Sequence, residues 1–112
     1  MYQINLDTSA LPWLPIGWPG VSMKMLQQVE STGGISAMIR IEAGISIPAH
    51  SHTHADQAEY VIEGDLIEQG VTYGPGSFLV AKAGTPHGPH SSSGGCVLLS
   101  TYFGTPDFVP VG

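Results

Sequence analysis

All five histidines of this chain fall into two short clusters, His50/His52/His54 and His87/His90. In extended backbone, residues two apart point to the same face. His50 and His52 therefore present two imidazoles side by side, and His54 continues the row only if the strand runs past Thr53. Gln57 and Glu59, on the next segment, share a face in the same way. His87 arrives from a third segment, after Pro86. Imidazole combined with carboxylate or amide oxygen is a donor set for a divalent transition metal. The competing reading is a run of exposed polar histidines in loops, which is the ordinary reading of one such residue. Five in two clusters, at strand spacing within an apolar framework, favour metal binding. Other chemistries find no residues. Cys96 is the only cysteine, so no disulfide forms within the chain, and Val97-Leu98-Leu99 after it read it as a small buried hydrophobe. No phosphate loop, CxxC pair or Ser-His-Asp arrangement is present.

The elements that must position these side chains are short strands. Ile35, Ala37, Ile39 and Ile41 alternate with Ser36, Met38, Arg40 and Glu42, a period of two. Ala58–Glu63 alternates similarly, Ser77–Val80 is a further short run, and Cys96–Phe103 is the last strong strand. Val21, Met23 and Met25 alternate, but Leu26-Gln27-Gln28-Val29 blurs the pattern, so a helix over 22–30 competes with a strand. Tyr2–Leu6 alternates and reads as a short strand, and 104–112 reads as a tail. The 15 Gly and 9 Pro make up about a fifth of 112 residues, and they punctuate strands every ~8–12 residues. That rhythm implies an all-β sandwich or barrel. No linker divides the chain, so 1–112 reads as a single domain.

The spacing of the histidines has a further content. Gly44-x5-His50-x-His52-x4-Gln57-x6-Gly64 resembles the first cupin motif, and Gly76-x5-Lys82-x-Gly84-x2-His87 resembles the second. Motif 1 thus occupies 44–64 and motif 2 occupies 76–87. Leu11-Pro12-Trp13, Pro19-Gly20-Val21, Ile39-Arg40, Glu63-Gly64, Gly74-Pro75-Gly76 and Gly94-Gly95-Cys96 extend the likeness. They resemble the cupins related to the anti-sigma factor ChrR and to acetylacetone-cleaving dioxygenases. The resemblance implies a cupin jelly-roll β-barrel and one divalent transition metal, with His50, His52, Gln57 and His87 as its ligands. Three departures stand out: Gln57 replaces the usual Glu, Lys82 a Pro and Ser91 an Asn. Gln at that position also occurs in cupins of the unsaturated-uronate ring-opening type.

Three imidazoles and an amide oxygen are all neutral, so such a site would leave a divalent ion its full charge and favour an anionic substrate or enolate. Glu59 is a replacement ligand, a nearby catalytic base, or a solvated residue on the outer face. Arg40 either clamps a substrate carboxylate from the lumen or pairs with Glu42 or Glu63 at the surface. Tyr60, Tyr102, Phe103 and Met38 line a pocket or fill core. His54 and His90 fall outside the ligand set, as second-layer or exposed residues, and His90 has a possible role at the substrate rim.

The diketone-cleaving relatives imply a metal-dependent dioxygenase acting on a small enolisable, β-diketone-like or carboxylate substrate. Iron would be held by His50, His52 and His87, with positions open to a chelating enolate and dioxygen. A non-redox isomerase or lyase would use the same residues with Zn, Mn or Ni and Glu59 as base. The anti-sigma relatives imply a different class, a non-catalytic metal- or ligand-sensing domain. With 3 Lys+Arg against 9 Asp+Glu, the formal net charge is −6, which excludes a phosphate-binding face for nucleic acid and disfavours an anionic membrane. No signal peptide or spanning run is read, so the expected address is the cytoplasm. A homodimer is expected, with Tyr2–Leu6 adding to a partner's sheet edge.

Overall fold

The computed structural model describes residues 1–111 and is almost entirely β. Its strands are β1 (Leu14–Pro15), β2 (Val21–Val29), β3 (Gly34–Ile41), β4 (Ser46–Ile47), β5 (His50–Ser51), β6 (Gln57–Gly64), β7 (Leu66–Glu68), β8 (Val71–Tyr73), β9 (Phe78–Ala81), β10 (His90–Ser91), β11 (Cys96–Tyr102) and β12 (Val109–Pro110). A six-stranded sheet in the order β1-β2-β3-β11-β6-β9 packs on a four-stranded sheet, β4-β10-β7-β8. A two-stranded ribbon, β12-β5, closes one end. This is a jelly-roll of two layers. The cupin jelly-roll expected from the motifs is thus present, although among the described residues its ladders do not join into one continuous hydrogen-bonded barrel. The layers meet instead through side chains. Ile41, Val61, Leu66, Cys96 and Leu98 form the buried cluster, with Ile39, Ile47 and Tyr73 packed against it.

The alternating segments become the central strands because one face of each is apolar and must be covered. β3 pairs antiparallel with β2 and with β11, and β11 pairs with β6. The blurred stretch after Met25 is strand, not helix. A β-bulge between Met25 and Gln27 inserts an extra residue and shifts the side-chain parity, which erases the period of two while preserving the ladder. The Gly64 that ends motif 1 has φ +80°, and a Cβ there would lie 2.0 Å from the Gly95 carbonyl oxygen. Only glycine permits β6 to pass so close to the start of β11.

Three other expectations are corrected. Tyr2–Leu6 forms no strand; Ile4 and Leu6 instead border a groove with Leu26 and Leu99 on the outer face of the large sheet. Arg40 neither enters the lumen nor pairs with Glu42 or Glu63. Its guanidinium carbon lies 4.7 Å from the centroid of the Trp13 ring, and Lys24 Nζ lies 4.7 Å from the same ring. Lys24 also donates to the Thr8 carbonyl at 2.7 Å. The N-terminal segment is thus held to the outer face of β2 and β3 by two cations that share one aromatic ring. Finally, residues 104–111 are not a free tail, because β12 runs antiparallel to β5 at the motif-1 histidines.

Candidate metal centre

The two histidine clusters meet because their backbones pair. His50 N–H donates to the His87 carbonyl at 2.9 Å, and His87 N–H donates to the His50 carbonyl at 2.8 Å. This reciprocal bridge links motif 1 to motif 2 across 37 positions of sequence. It sets the His50 and His87 rings with centroids 4.4 Å apart. The His52 ring lies 5.0 Å from His50 and 5.3 Å from His87. Gln57 and Glu59 project from β6 toward the same region, and both are buried. Glu59 is therefore not a solvated outer-face residue.

The structure adds a residue that sequence reasoning placed outside the ligand set. His90, on β10, is 4% exposed, with its ring 4.8 Å from His87 and 5.5 Å from His50. One ring nitrogen from each of His50, His87 and His90 lies within 4.8 Å of the other two. Its nearness to His87 in sequence was the only available signal, since a two-residue strand has no periodicity to read. His54 does not join the cluster and is exposed.

A metal fits this arrangement on the chemistry of the donors. His87 Nε2 and His90 Nε2 are buried without a hydrogen-bond partner, a costly state for an imidazole nitrogen unless something binds there. Three nitrogens no more than 4.8 Å apart enclose a point roughly 2.8 Å from each, against about 2.1 Å for a Zn–N bond. His52 Nε2 and Gln57 Oε1 lie 2.9 Å apart, close to the separation of two adjacent ligands on one ion. The outer nitrogens of His50 and His52 are tied back to backbone carbonyls, and that of His90 faces a carboxylate. His50 Nδ1 bonds the Pro48 carbonyl at 2.8 Å, His52 Nδ1 bonds the Asp107 carbonyl, and His90 Nδ1 lies 2.6 Å from Glu68 Oε1. Tying back the outer nitrogen orients a ligating imidazole.

The sequence profile of the ChrR cupin-like domain matches residues 2–104. The chain belongs to that family. No curated protein matches the sequence. Among solved structures, this cupin is similar to a protein of unknown function with a cupin-like fold from Ralstonia eutropha JMP134. The TM-score is 0.82 at 20% identity, covering 99% of this chain and 79% of the other. An acetylacetone dioxygenase from Acinetobacter johnsonii gives a TM-score of 0.73 at 15% identity, covering 92% and 74%. A chain of the Rhodobacter sphaeroides SigE complex with the anti-sigma ChrR gives 0.68 at 21% identity, covering 85% of this chain and 50% of that one. At these identities the likeness establishes the fold.

The electrostatics of the cupin site favour neutral imidazoles on one side and a held carboxylate on the other. Burial, then the neighbouring His90 and His50, push the His87 imidazole down to about 3. Burial lowers His50 as well. Burial also acts to lower His90, but the Glu68 hydrogen bond and the Glu59 charge outweigh it and the net shift is upward. Burial raises the Glu59 carboxyl above its ordinary value. Neutral imidazole is the form that binds metal. Because Glu59 is buried within the site, and Gln57 Nε2 donates to its Oε1 at 2.5 Å, a bound cation would not keep its charge uncompensated as the donor count alone suggested.

A cavity of about 260 Å³ opens above this cluster. Its polar floor includes His50, His52, Gln57, Glu59 and His90, and Trp18, Ile39, Ile47, Leu98 and Phe108 are among its apolar walls. Neither Lys nor Arg lines it. Tyr102 contributes to the wall, whereas Tyr60 and Phe103 are exposed elsewhere. A second cavity, of about 290 Å³, shares Gln57 and Glu59 as walls and is bordered by Glu68, Lys82, Thr85 and His87.

Proposed function

We propose that residues 1–112 form one cupin domain that binds a single divalent transition metal and acts as a dioxygenase on a small enolisable substrate. Several buried imidazoles, two with orphaned Nε2 atoms, converge beside a largely apolar cavity, and that observation carries the reading. His50 and His87 are the shared core of the site. His90 and His52 each lie within 5.5 Å, ring to ring, of both, and Gln57 meets His52. When bound, the metal supplies Lewis acidity and, as iron, electron transfer to dioxygen.

The protein's own groups define the substrate. A cavity of about 260 Å³ is smaller than the ~300 Å³ at which drug-sized sites begin. Its apolar walls suit an uncharged alkyl or aryl body, and the polar floor suits a pair of oxygen atoms such as a β-diketone carries. A substrate with a second carboxylate, or a polyhydroxylated ring, would meet no cation and few hydrogen-bonding groups on those walls. Glu59 is placed to take the proton from the carbon between two carbonyls. Its carboxyl is held by Gln57, and its raised proton affinity suits a general base. The experiment is oxygen uptake by iron-loaded protein with a panel of β-diketones and 2-oxo acids. Uptake with the apolar diketones supports the reading, and none with any member overturns it.

A metal- or ligand-sensing role is the second reading, favoured by the likeness to the ChrR complex. A sensor would bind the same ligands without turnover. A non-redox isomerase or lyase would turn over without oxygen uptake. A homodimer is also proposed, and light scattering should then give about twice 11.8 kDa; a mass of one chain at micromolar concentration contradicts it.

Gln57→Glu tests the amide as a ligand. It sets a second carboxylate against Glu59, so two acids share a proton until a cation neutralises them. Zinc affinity should rise on the order of tenfold, because ligand charge is added directly at the ion. Competitive chelator titration measures it. Unchanged affinity in Gln57→Glu, together with metal loss in Glu59→Gln, would transfer the ligand role to Glu59.

A further inference from the structure

We propose that the C-terminal segment Asp107–Phe108 is a positioning element for the motif-1 histidines, a role that rests on the metal-centre reading above. The family profile ends at residue 104, so these residues lie outside the part of the chain the family likeness describes. The structure nevertheless folds them onto the site. Gly104 makes the turn possible, since a Cβ there would sit 2.8 Å from the His54 carbonyl oxygen. The segment then runs along β5, where Val109 and Pro110 stand opposite Ser51 and His50, and Val111 N–H reaches the Ala49 carbonyl at 3.3 Å.

Two contacts act on the candidate ligands themselves. The Phe108 ring stacks on His50, with centroids 4.3 Å apart and planes inclined by 23°. With Nδ1 of His50 bonded to the Pro48 carbonyl, one ring face covered and one edge tethered leave His50 a single orientation. The Asp107 carbonyl accepts from His52 Nδ1, which assigns the proton to that nitrogen and leaves Nε2 toward Gln57. The carbonyl is itself anchored. The Asp107 carboxylate accepts from Thr53 N–H at 2.6 Å and from the Thr53 hydroxyl at 2.5 Å. Asp107 thus closes a ring of bonds around the turn that follows His52. A backbone carbonyl behind a ligating imidazole fixes its tautomer and raises its basicity, and losing such a partner weakens metal binding by ~10–100-fold. Phe108 also lies 6.3 Å from Trp18 across the cavity, so the segment that orients the imidazoles forms part of the substrate wall.

The test uses the full chain with Phe108→Ala, Asp107→Ala and the conservative Phe108→Tyr. The readouts are zinc affinity by competitive chelator titration, the visible spectrum of the cobalt-loaded protein, and the melting temperature of the metal-free protein. Phe108→Ala and Asp107→Ala should each weaken zinc binding about tenfold or more and alter the cobalt spectrum, and Phe108→Tyr should restore both. Val109→Ala, at the exposed β12 position that follows Phe108, should leave them unchanged, which separates positioning from general loosening of the segment. Wild-type affinity and spectrum in Phe108→Ala and Asp107→Ala, with binding still lost in His87→Ala, would overturn the positioning role and leave the metal centre standing. Wild-type affinity in His87→Ala would overturn the metal centre, and the positioning role with it.

Discussion

Replacing His87 with alanine should abolish the rise in melting temperature that zinc or cobalt gives the wild-type protein. A ligand that binds only the folded state stabilises it by about 2.7 kcal/mol at a hundredfold excess over its dissociation constant. For a domain of this size that is on the order of 10 °C. His87 is central to the cluster, paired to His50 through the backbone and 4.8 Å, ring to ring, from His90. Its Nε2 is buried without a partner. Removing it takes one donor from every three-imidazole set the site can form around the His50–His87 pair. Differential scanning fluorimetry of both proteins, stripped and then titrated with each metal, checks the expectation. A metal-dependent shift of wild-type size in His87→Ala would show that the ion binds elsewhere.

The metal-free protein should lose stability steeply as pH falls from 7 to 5. The unfolded chain takes up a proton at His87 near the ordinary histidine value of 6.5, whereas the folded chain does so only near 3. Between those values the unfolded state binds more protons, so stability is present above 6.5 and is lost as pH falls toward 3. His50, lowered by burial, acts in the same direction. His90 and Glu59 are both raised and act oppositely: their contributions are present below their unfolded values of 6.5 and 4.5 and are lost as pH rises through their folded values. Each kcal/mol lost lowers the melting temperature by about 4–8 °C, so a fall on the order of 10 °C between pH 7 and pH 5 is expected. The His87→Ala variant should show a flatter profile, measured by circular dichroism on chelator-treated samples. An identical slope in the two proteins would contradict the assignment of a buried neutral imidazole at 87.

The parts of this architecture that were legible in the sequence are those governed by local periodicity. Ile35–Ile41 alternates because one face meets the core, Cys96–Tyr102 is a continuous run rich in apolar residues, and both are central strands in register with each other. The common face of Gln57 and Glu59 followed from the same parity. What was not legible depends on pairing between distant segments. β12 is two residues long and contains a proline, so nothing local distinguishes it from a loop; it forms because β5 lies beside it. His90 sits on an equally short strand held between β4 and β7. The bulge in β2 disguised a long strand as a possible helix. Arg40 was misplaced because a cation between apolar neighbours suggests the lumen or an ion pair, whereas its partner, Trp13, lies 27 positions earlier and reaches it only in the folded chain.

The two carboxylates near the histidines deepen the functional reading in a way composition could not. Glu68 holds His90 from behind, and Glu59 stands inside the site on the Gln57 amide. One carboxylate therefore stands behind an imidazole, and the other lies at the cavity floor. Among the described residues no helix is long and apolar enough to cross a membrane.

The central claim is that one divalent metal binds each chain at the converging histidines. Equilibrium dialysis tests it most directly, with chelator-stripped wild-type protein and the double variant His50→Ala/His87→Ala dialysed against the same zinc or cobalt solution at pH 7 and the bound metal measured by elemental analysis. The account predicts about one ion per wild-type chain and none held by the double variant. Metal-free wild-type protein after exposure to iron, zinc, nickel and manganese in turn, or equal metal in wild type and double variant, would contradict it.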